Sequence, residues 1–447
     1  MKKTIKMAIG LGALCCVMGQ AEEFRQFDMV APDGKTRPYV IYQPDVGGKR
    51  PLLVYLHGAI GRPAISSDPI ASAKKSSIVN LAREGGYYVL FPYGQQGATW
   101  FDKVGTQMVL DQIDWATKNL PIDNKKVFVS GFSDGASGTL YFASTQADKF
   151  AGFIALNGSL AVAAHLGDSP VFLQNINSKP LYIVNTSADA LYPAQQIYPT
   201  IQTLQAHQPQ VQFDALTGNH DMSYLPSIQN KLGKFIDTHQ DQVSYQISLE
   251  ASDVYTGSFD WLSVLSFDFD APAKAWHTPY SLKMVNNKAS FGIVPDSTYQ
   301  GEGIKVAGFA KNNQTAKTMG VQIGDVIVKM GDVVINHPYA SLSYLSGKKA
   351  GEPTELSVLR DGNTLLLKGK FADGYTYEVF DNKKPSGKIQ ATFDKQQQTL
   401  KIQTSKIASF AVDFAQLPIT NRDEFVIVIN DKAQSVSATG KQTFKVQ

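Results

Sequence analysis

The sequence predicts an α/β sheet domain followed by a β-rich half, on three observations. Residues 22–240 alternate short, almost continuously apolar runs with segments of helical period, the pattern of a mainly parallel sheet covered on both faces. From about residue 243 the texture changes to alternating strands separated by turn dipeptides such as Asp361-Gly362, Asp373-Gly374 and Asn430-Asp431. The chain has 447 residues, and single hydrophobic cores stop growing near ~250–300 residues, so more than one domain is required.

The chain begins with what reads as an address. Lys2, Lys3 and Lys6 precede an apolar run over 7–18, and Gly19-Gln20-Ala21 forms a small-x-small cleavage site before Glu22-Glu23. About 12 apolar residues are too few to cross a hydrocarbon core that needs ~20. A signal peptide over 1–21 is therefore expected, with export to the periplasm or beyond and no membrane span. Cys15 and Cys16, the only cysteines, lie inside it. Neither is placed as a lipoprotein cysteine. After cleavage no thiol remains for a disulfide, a nucleophile or a zinc site.

The formal charge of +3 comes from those leader lysines; without them 39 basic residues face 39 acidic ones. A neutral chain with no basic stripe has little electrostatic reason to bind nucleic acid or an anionic membrane. Its 43% hydrophobic content is that of a folded protein.

In the first half, strands are expected at 51–56, 87–91, 126–129, 153–156, 181–184 and 211–213, with helical spacing in between, as at Ile228, Leu232, Phe235 and Ile236. Gly131-Phe132-Ser133-Asp134-Gly135 follows the third of these strands and opens a helical segment at 136–145. A tight strand-turn-helix there lifts a serine hydroxyl clear of the sheet, which is what a nucleophile needs. At neutral pH that hydroxyl also needs a base and an orienting acid. Of seven histidines, His220 stands out: it lies in Thr217-Gly218-Asn219-His220-Asp221, between the last strand of the α/β region and its last helix. His57, in a His-Gly pair, is expected to shape a loop. The acid should lie between serine and histidine in the chain, and Asp189 follows the strand at 181–184 directly; Asp168, Asp214 and Asp221 are its rivals. The oxyanion hole is expected from the N–H of Asp134 and of Ala59, with Ile60 the alternative, in Leu56-His57-Gly58-Ala59-Ile60-Gly61.

With these motifs in place, residues 22–240 resemble α/β-hydrolase esterases of the polyhydroxybutyrate depolymerase and feruloyl esterase type. The resemblance implies a Ser133–His220–Asp189 triad and an acyl-enzyme. One departure is Ala136, where many relatives continue with glycine. Trp100-Phe101-Asp102 resembles an aromatic stretch near the cleft of related hydrolases, a resemblance that implies a substrate contact at Trp100, with packing the alternative. The short stretch between Leu156 and Leu181 leaves little room for a lid, so an open cleft for a bulky or polymeric ester is expected.

Residues 288–372 resemble a PDZ domain of the type found in exported bacterial proteases. The carrying residues are Ser290-Phe291-Gly292-Ile293, Gly303-Ile304-Lys305-Val306, Ala316 to Gly320, Val321-Gln322-Ile323-Gly324-Asp325-Val326-Ile327, and a hairpin ending in Arg360-Asp361-Gly362. The resemblance implies that Phe291, Gly292 and Ile293 form a loop whose amides take a polypeptide C-terminal carboxylate, the peptide adding as a strand. The flanks, 243–287 and 373–447, are each too short to bury a face alone and are expected to form one accessory β-domain that the barrel interrupts. The expected architecture is thus an α/β-hydrolase sheet followed by that interrupted domain.

The leading expectation is a serine esterase; a serine peptidase recruiting chain ends and a non-catalytic binding protein on the same fold are the alternatives. No H-E-x-x-H and no G-x-G-x-x-G at a first βα turn occurs, so neither metal nor organic cofactor is expected. A base histidine works only when neutral, so activity should fall on acidification.

Overall fold

The computed structural model describes residues 23–61, 67–176, 178–207, 210–296, 298–310, 313–336, 340–380 and 384–446. The segment read as a signal peptide lies outside them. Eight strands form the first sheet: β1 (Glu23–Val30), β2 (Thr36–Gln43), β3 (Arg50–Leu56), β4 (Tyr88–Pro92), β5 (Ile122–Phe132), β6 (Gly152–Leu156), β7 (Leu181–Thr186) and β8 (Gln212–Leu216). Their order is β1-β2-β4-β3-β5-β6-β7-β8. The pairs β1–β2 and β2–β4 are antiparallel, and every pair from β4–β3 to β7–β8 is parallel.

The sheet divides its side chains by strand period. Leu52, Val54 and Leu56 enter one apolar cluster while Leu53 and Tyr55 enter the other, on the opposite face. Each fully buried aliphatic contributes about 1.5–3 kcal/mol relative to exposure, which explains why β6 and β7 are buried along their whole length. Helix Lys103–Asn119 starts where the Asp102 carboxylate accepts the Gly105 N–H at 2.7 Å. Helix Asp134–Thr145 is buried from Gly135 onward. Between β6 and β7, helices Leu160–Leu166 and Leu173–Ile176 place Leu160, Ala163, Leu173 and Ile176 in the core.

Beyond residue 245 strands pair across the barrel segment. Gln246–Ala251 lies beside Gly387–Asp394, Leu262–Phe267 beside Ile407–Asp413, and Lys283–Asn286 beside Tyr375–Glu378. Ile247, Trp261 and Phe410 of this region share one continuous apolar cluster with the α/β sheet. The barrel has a cluster of its own around Phe291, Ile304, Ile327, Leu356 and Phe371. Its sheet runs from the edge strand Ile293–Pro295 through Ile304–Phe309, Val326–Met330 and Pro353–Arg360 to Asn363–Lys370. The Gly324-Asp325 turn is held by the Arg360 guanidinium, which donates twice to Asp325 at 2.7 Å.

Candidate active site

Ser133 sits between β5 and its helix with φ 58° and ψ −121°, a backbone conformation that side-chain-bearing residues avoid and that a nucleophile elbow imposes. The bend is tight enough that a Cβ on Gly135 would lie 1.9 Å from the Leu56 carbonyl oxygen. Ser133 Oγ is 2.9 Å from His220 Nε2, and His220 Nδ1 is 2.8 Å from Asp189 Oδ2. The His220 loop is tied to the Asp189 loop: Thr186 Oγ1 donates to the Asn219 carbonyl at 2.7 Å and the Ala188 N–H to Gly218 O at 2.9 Å.

Asp189 is buried and accepts four hydrogen bonds. Oδ2 takes His220 and the Asn157 amide at 2.7 Å, while Oδ1 takes the N–H groups of Leu191 and Tyr192 at 2.7 and 2.8 Å. Burial alone would push its carboxyl up, but the bonds from His220, Asn157 and the backbone hold it below the ordinary carboxylate range. The rival acids are engaged elsewhere. Asp168 accepts the Lys103 N–H, Asp214 binds Tyr182 and Lys231, and Asp221 accepts the Ser223 N–H.

The loop after β3 lies against the serine, since a Cβ on Gly58 would come within 2.9 Å of Ser133 Cβ. The Ile60 N–H is spent on the Asp134 carboxylate at 3.2 Å, whereas the N–H groups of Ala59 and Asp134 have no acceptor among the described residues. His57 shapes this loop. Its Nε2 accepts the Gly94 N–H at 3.1 Å, which leaves the ring hydrogen on Nδ1 to donate to Gly58 O at 2.7 Å.

Trp100 requires a correction to the substrate-contact expectation. It is fully buried, and its indole N–H donates to the His57 carbonyl at 2.8 Å. A ring with no exposed surface packs behind the loop after β3 and offers no face for a substrate contact. The Phe291 side chain is likewise core: 3% exposed, it packs on Phe371 with centroids 4.8 Å apart. The Gly292 N–H is not free either, donating to Ser290 Oγ at 3.2 Å. Ile293 opens the edge strand of the barrel.

Sequence reasoning missed Asn157 and Tyr224. Asn157 has φ 54° at the end of β6 and accepts the Tyr224 hydroxyl at 2.6 Å, which aims its amide at Asp189 and Thr186. An asparagine directly after a buried strand, next to the strand that carries the acid, was the available signal. Among the described residues no cluster of His, Cys, Asp and Glu is arranged to hold a metal, and no helix is long and apolar enough to cross a membrane.

Comparison with known proteins bears on both halves. Residues 48–240 match the protein-family model described as phospholipase/carboxylesterase, and residues 282–370 match that of the PDZ domain. The bifunctional acetylxylan esterase/xylanase XynS20E of Neocallimastix patriciarum is 30% identical over 174 residues, 38% of this chain and 24% of that protein. A probable acetylxylan esterase A of Aspergillus flavus is 28% identical over 132 residues, 27% of this chain and 41% of that protein. The chain thus spans less than half the length of either relative. Among solved structures, the fluorophosphonate-binding serine hydrolase FphF of Staphylococcus aureus aligns at TM-score 0.40 and 20% identity, over 48% of this chain and 99% of that one. The acylaminoacyl peptidase of Pyrococcus horikoshii aligns at 0.38 and 17%, over 50% and 43%. Strand order and family match together give the N-terminal half the α/β-hydrolase fold, and the β-rich C-terminal half contains a PDZ domain.

Proposed function

We propose that this protein is an exported serine hydrolase of carboxylic esters, working through Ser133, His220 and Asp189. The single observation that carries the reading is the unbroken contact from Ser133 Oγ through His220 to Asp189, with the serine on a positive-φ elbow. Ser133 Oγ attacks the ester carbonyl as its proton passes to His220 Nε2, and Asp189 stabilises the imidazolium. The N–H groups of Ala59 and Asp134 receive the oxyanion; losing one such donor typically costs ~3–4 kcal/mol of barrier. The C–O bond to the alcohol breaks as the alcohol takes the proton, leaving an acyl-serine. Water, deprotonated by His220, attacks that acyl group and restores the serine.

The substrate class we propose is an ester borne on a bulky or polymeric carrier, with acetylated polysaccharide the first to test because both curated relatives carry acetylxylan esterase in their names. Kinship with polyhydroxybutyrate depolymerases and feruloyl esterases belongs to the same proposal and rests on the motifs. The PDZ domain is proposed to bind polypeptide ends along the edge strand Ile293–Pro295, whose outer side pairs with no strand among the described residues. The export reading rests on the leader pattern.

A fluorophosphonate probe and paired substrates test this. An adduct on the wild type that disappears only in Ser133→Ala, with p-nitrophenyl acetate turned over faster than a panel of peptide amides, is the expected result. Faster amide cleavage would make the protein a peptidase, and no adduct at all would make it a binding protein.

A further inference from the structure

The acid loop is held from outside the hydrolase sheet. Lys288 lies at the entrance to the PDZ barrel, where its backbone bridges to Lys349. Its Nζ donates to the Leu191 carbonyl oxygen and stands 5.6 Å from the centroid of the Tyr192 ring. That carbonyl belongs to the Leu191–Tyr192 peptide, and the N–H of the same peptide donates to Asp189 Oδ1 at 2.8 Å. Asp189 Oδ2 meets His220, and His220 meets Ser133. One chain of hydrogen bonds therefore runs from the barrel entrance to the nucleophile. The Tyr192 ring adds a second contact, meeting the His220 ring edge-on at 5.7 Å and 63°.

A cation on a peptide oxygen draws electron density toward itself and strengthens the N–H of that peptide as a donor, and hydrogen bonds in series polarise one another. The ammonium is not there for ordinary solvation. Burial brings the Lys288 pKa down to about 8, with the Asp189 carboxylate pulling the other way. An apolar side chain would avoid that burial cost, so mere packing does not account for a lysine here. Beside it a cavity of about 340 Å³ is walled by Leu191 of the acid loop, by Lys288, and by Ser290, Asn313 and Leu345 of the barrel.

We propose that Lys288 is a positioning residue for the reaction: through the Leu191–Tyr192 peptide it fixes the Asp189 carboxylate against His220, so that the barrel entrance completes the acid loop of the hydrolase. The inference rests on the triad reading above, and the experiment separates the two. Full-length Lys288→Met, Lys288→Gln and Lys288→Arg are compared with wild type on p-nitrophenyl acetate, together with melting temperatures. The expected result is a kcat about tenfold lower in the Met and Gln variants with KM changed less than about twofold, and recovery of most of kcat in Lys288→Arg. Gln keeps a polar chain end, so it carries the test should the Met variant fold poorly. Wild-type kcat in Met or Gln overturns the proposal. So does an equal loss in all three variants at an unchanged melting temperature. Ser133→Ala is the separate control: if it keeps activity the triad reading has failed, whereas an inactive Ser133→Ala beside a fully active Lys288→Met sinks only the role of the lysine.

Discussion

Among the described residues two serine–histidine–carboxylate clusters stand out, and their surroundings differ. In the first, His220 joins Ser133 and Asp189 on loops at one rim of the parallel sheet. In the second, His277 Nδ1 lies 3.0 Å from Ser405 Oγ and His277 Nε2 lies 3.1 Å from Glu250 Oε1. By distance alone the two are nearly equivalent. They differ in everything around them. Ser405 is 2% exposed, ends a regular strand, and also accepts the Lys274 N–H at 3.0 Å. Glu250 accepts the Ser386 hydroxyl at 2.6 Å and the Gln174 amide as well, tying helix Leu173–Ile176 to the accessory strands. Ser133 is only half-buried and sits on a positive-φ elbow, and the N–H groups of Ala59 and Asp134 nearby have no acceptor among the described residues. The same kinds of side chain form a buried junction in one place, and in the other a half-buried serine beside amides with no acceptor among the described residues.

The comparison breaks most sharply at the serines. Ser133→Ala should reduce ester turnover by about 10⁶-fold, whereas Ser405→Ala should leave kcat within about twofold, the buried junction touching no substrate. Comparable loss in both would mean that the second cluster takes part in the chemistry. Next come the carboxylates. Asp189→Asn should lower kcat by about 10⁴-fold through the wrong imidazole tautomer. Glu250→Gln should instead lower unfolding free energy by about 2–3 kcal/mol in urea melts, with activity intact at 25 °C. Asn157→Ala, which removes one of the donors to Asp189, should cost about tenfold in kcat, and an unchanged kcat would show that the remaining bonds suffice.

The smallest effect is in acid stability. Burial pushes both Asp189 and Glu250 up, but their hydrogen bonds leave each below its ordinary value; for Glu250 these come from His277, Ser386 and Gln174. A depressed carboxylate stabilises the fold above its unfolded pKa of ~4 and loses that contribution as pH falls through the lower folded value. Stability should therefore hold from neutrality to about pH 5 and decline below about pH 4. Melts of Glu250→Gln should show a shallower acid limb than wild type, and identical limbs would remove Glu250 from the account.

Much of this was legible from the sequence where the signal is local. The six expected strands of the sheet lie on β3 to β8 with ends moved by at most a few residues. The serine turn announces itself because glycine spacing and a preceding apolar run are neighbours in the chain. Of the two strands before them, β1 is not legible because EFRQFDMV mixes charges into a half-exposed edge and carries too little apolar signal. From the sequence Trp100 reads as a substrate contact or a packing residue alike, because a large aromatic beside a loop gives no sign of which side will be covered. The helix Asp134–Thr145 packs on it closely enough that a Cβ at Gly138 would touch its ring, and that closeness is not a property of either segment alone.

Amino-acid order by itself determined the alternation of strand and helix, the elbow at Ser133, and the succession of serine, aspartate and histidine loops at strand ends, because backbone propensity and side-chain period act over a few residues. Tertiary structure decided which polar groups meet. Ser405 finds His277 across 128 positions and Lys288 finds Leu191 across 97. No local pattern encodes such encounters: they follow from how whole layers pack, and only packing determines which hydroxyl is sealed among partners and which stays partly exposed.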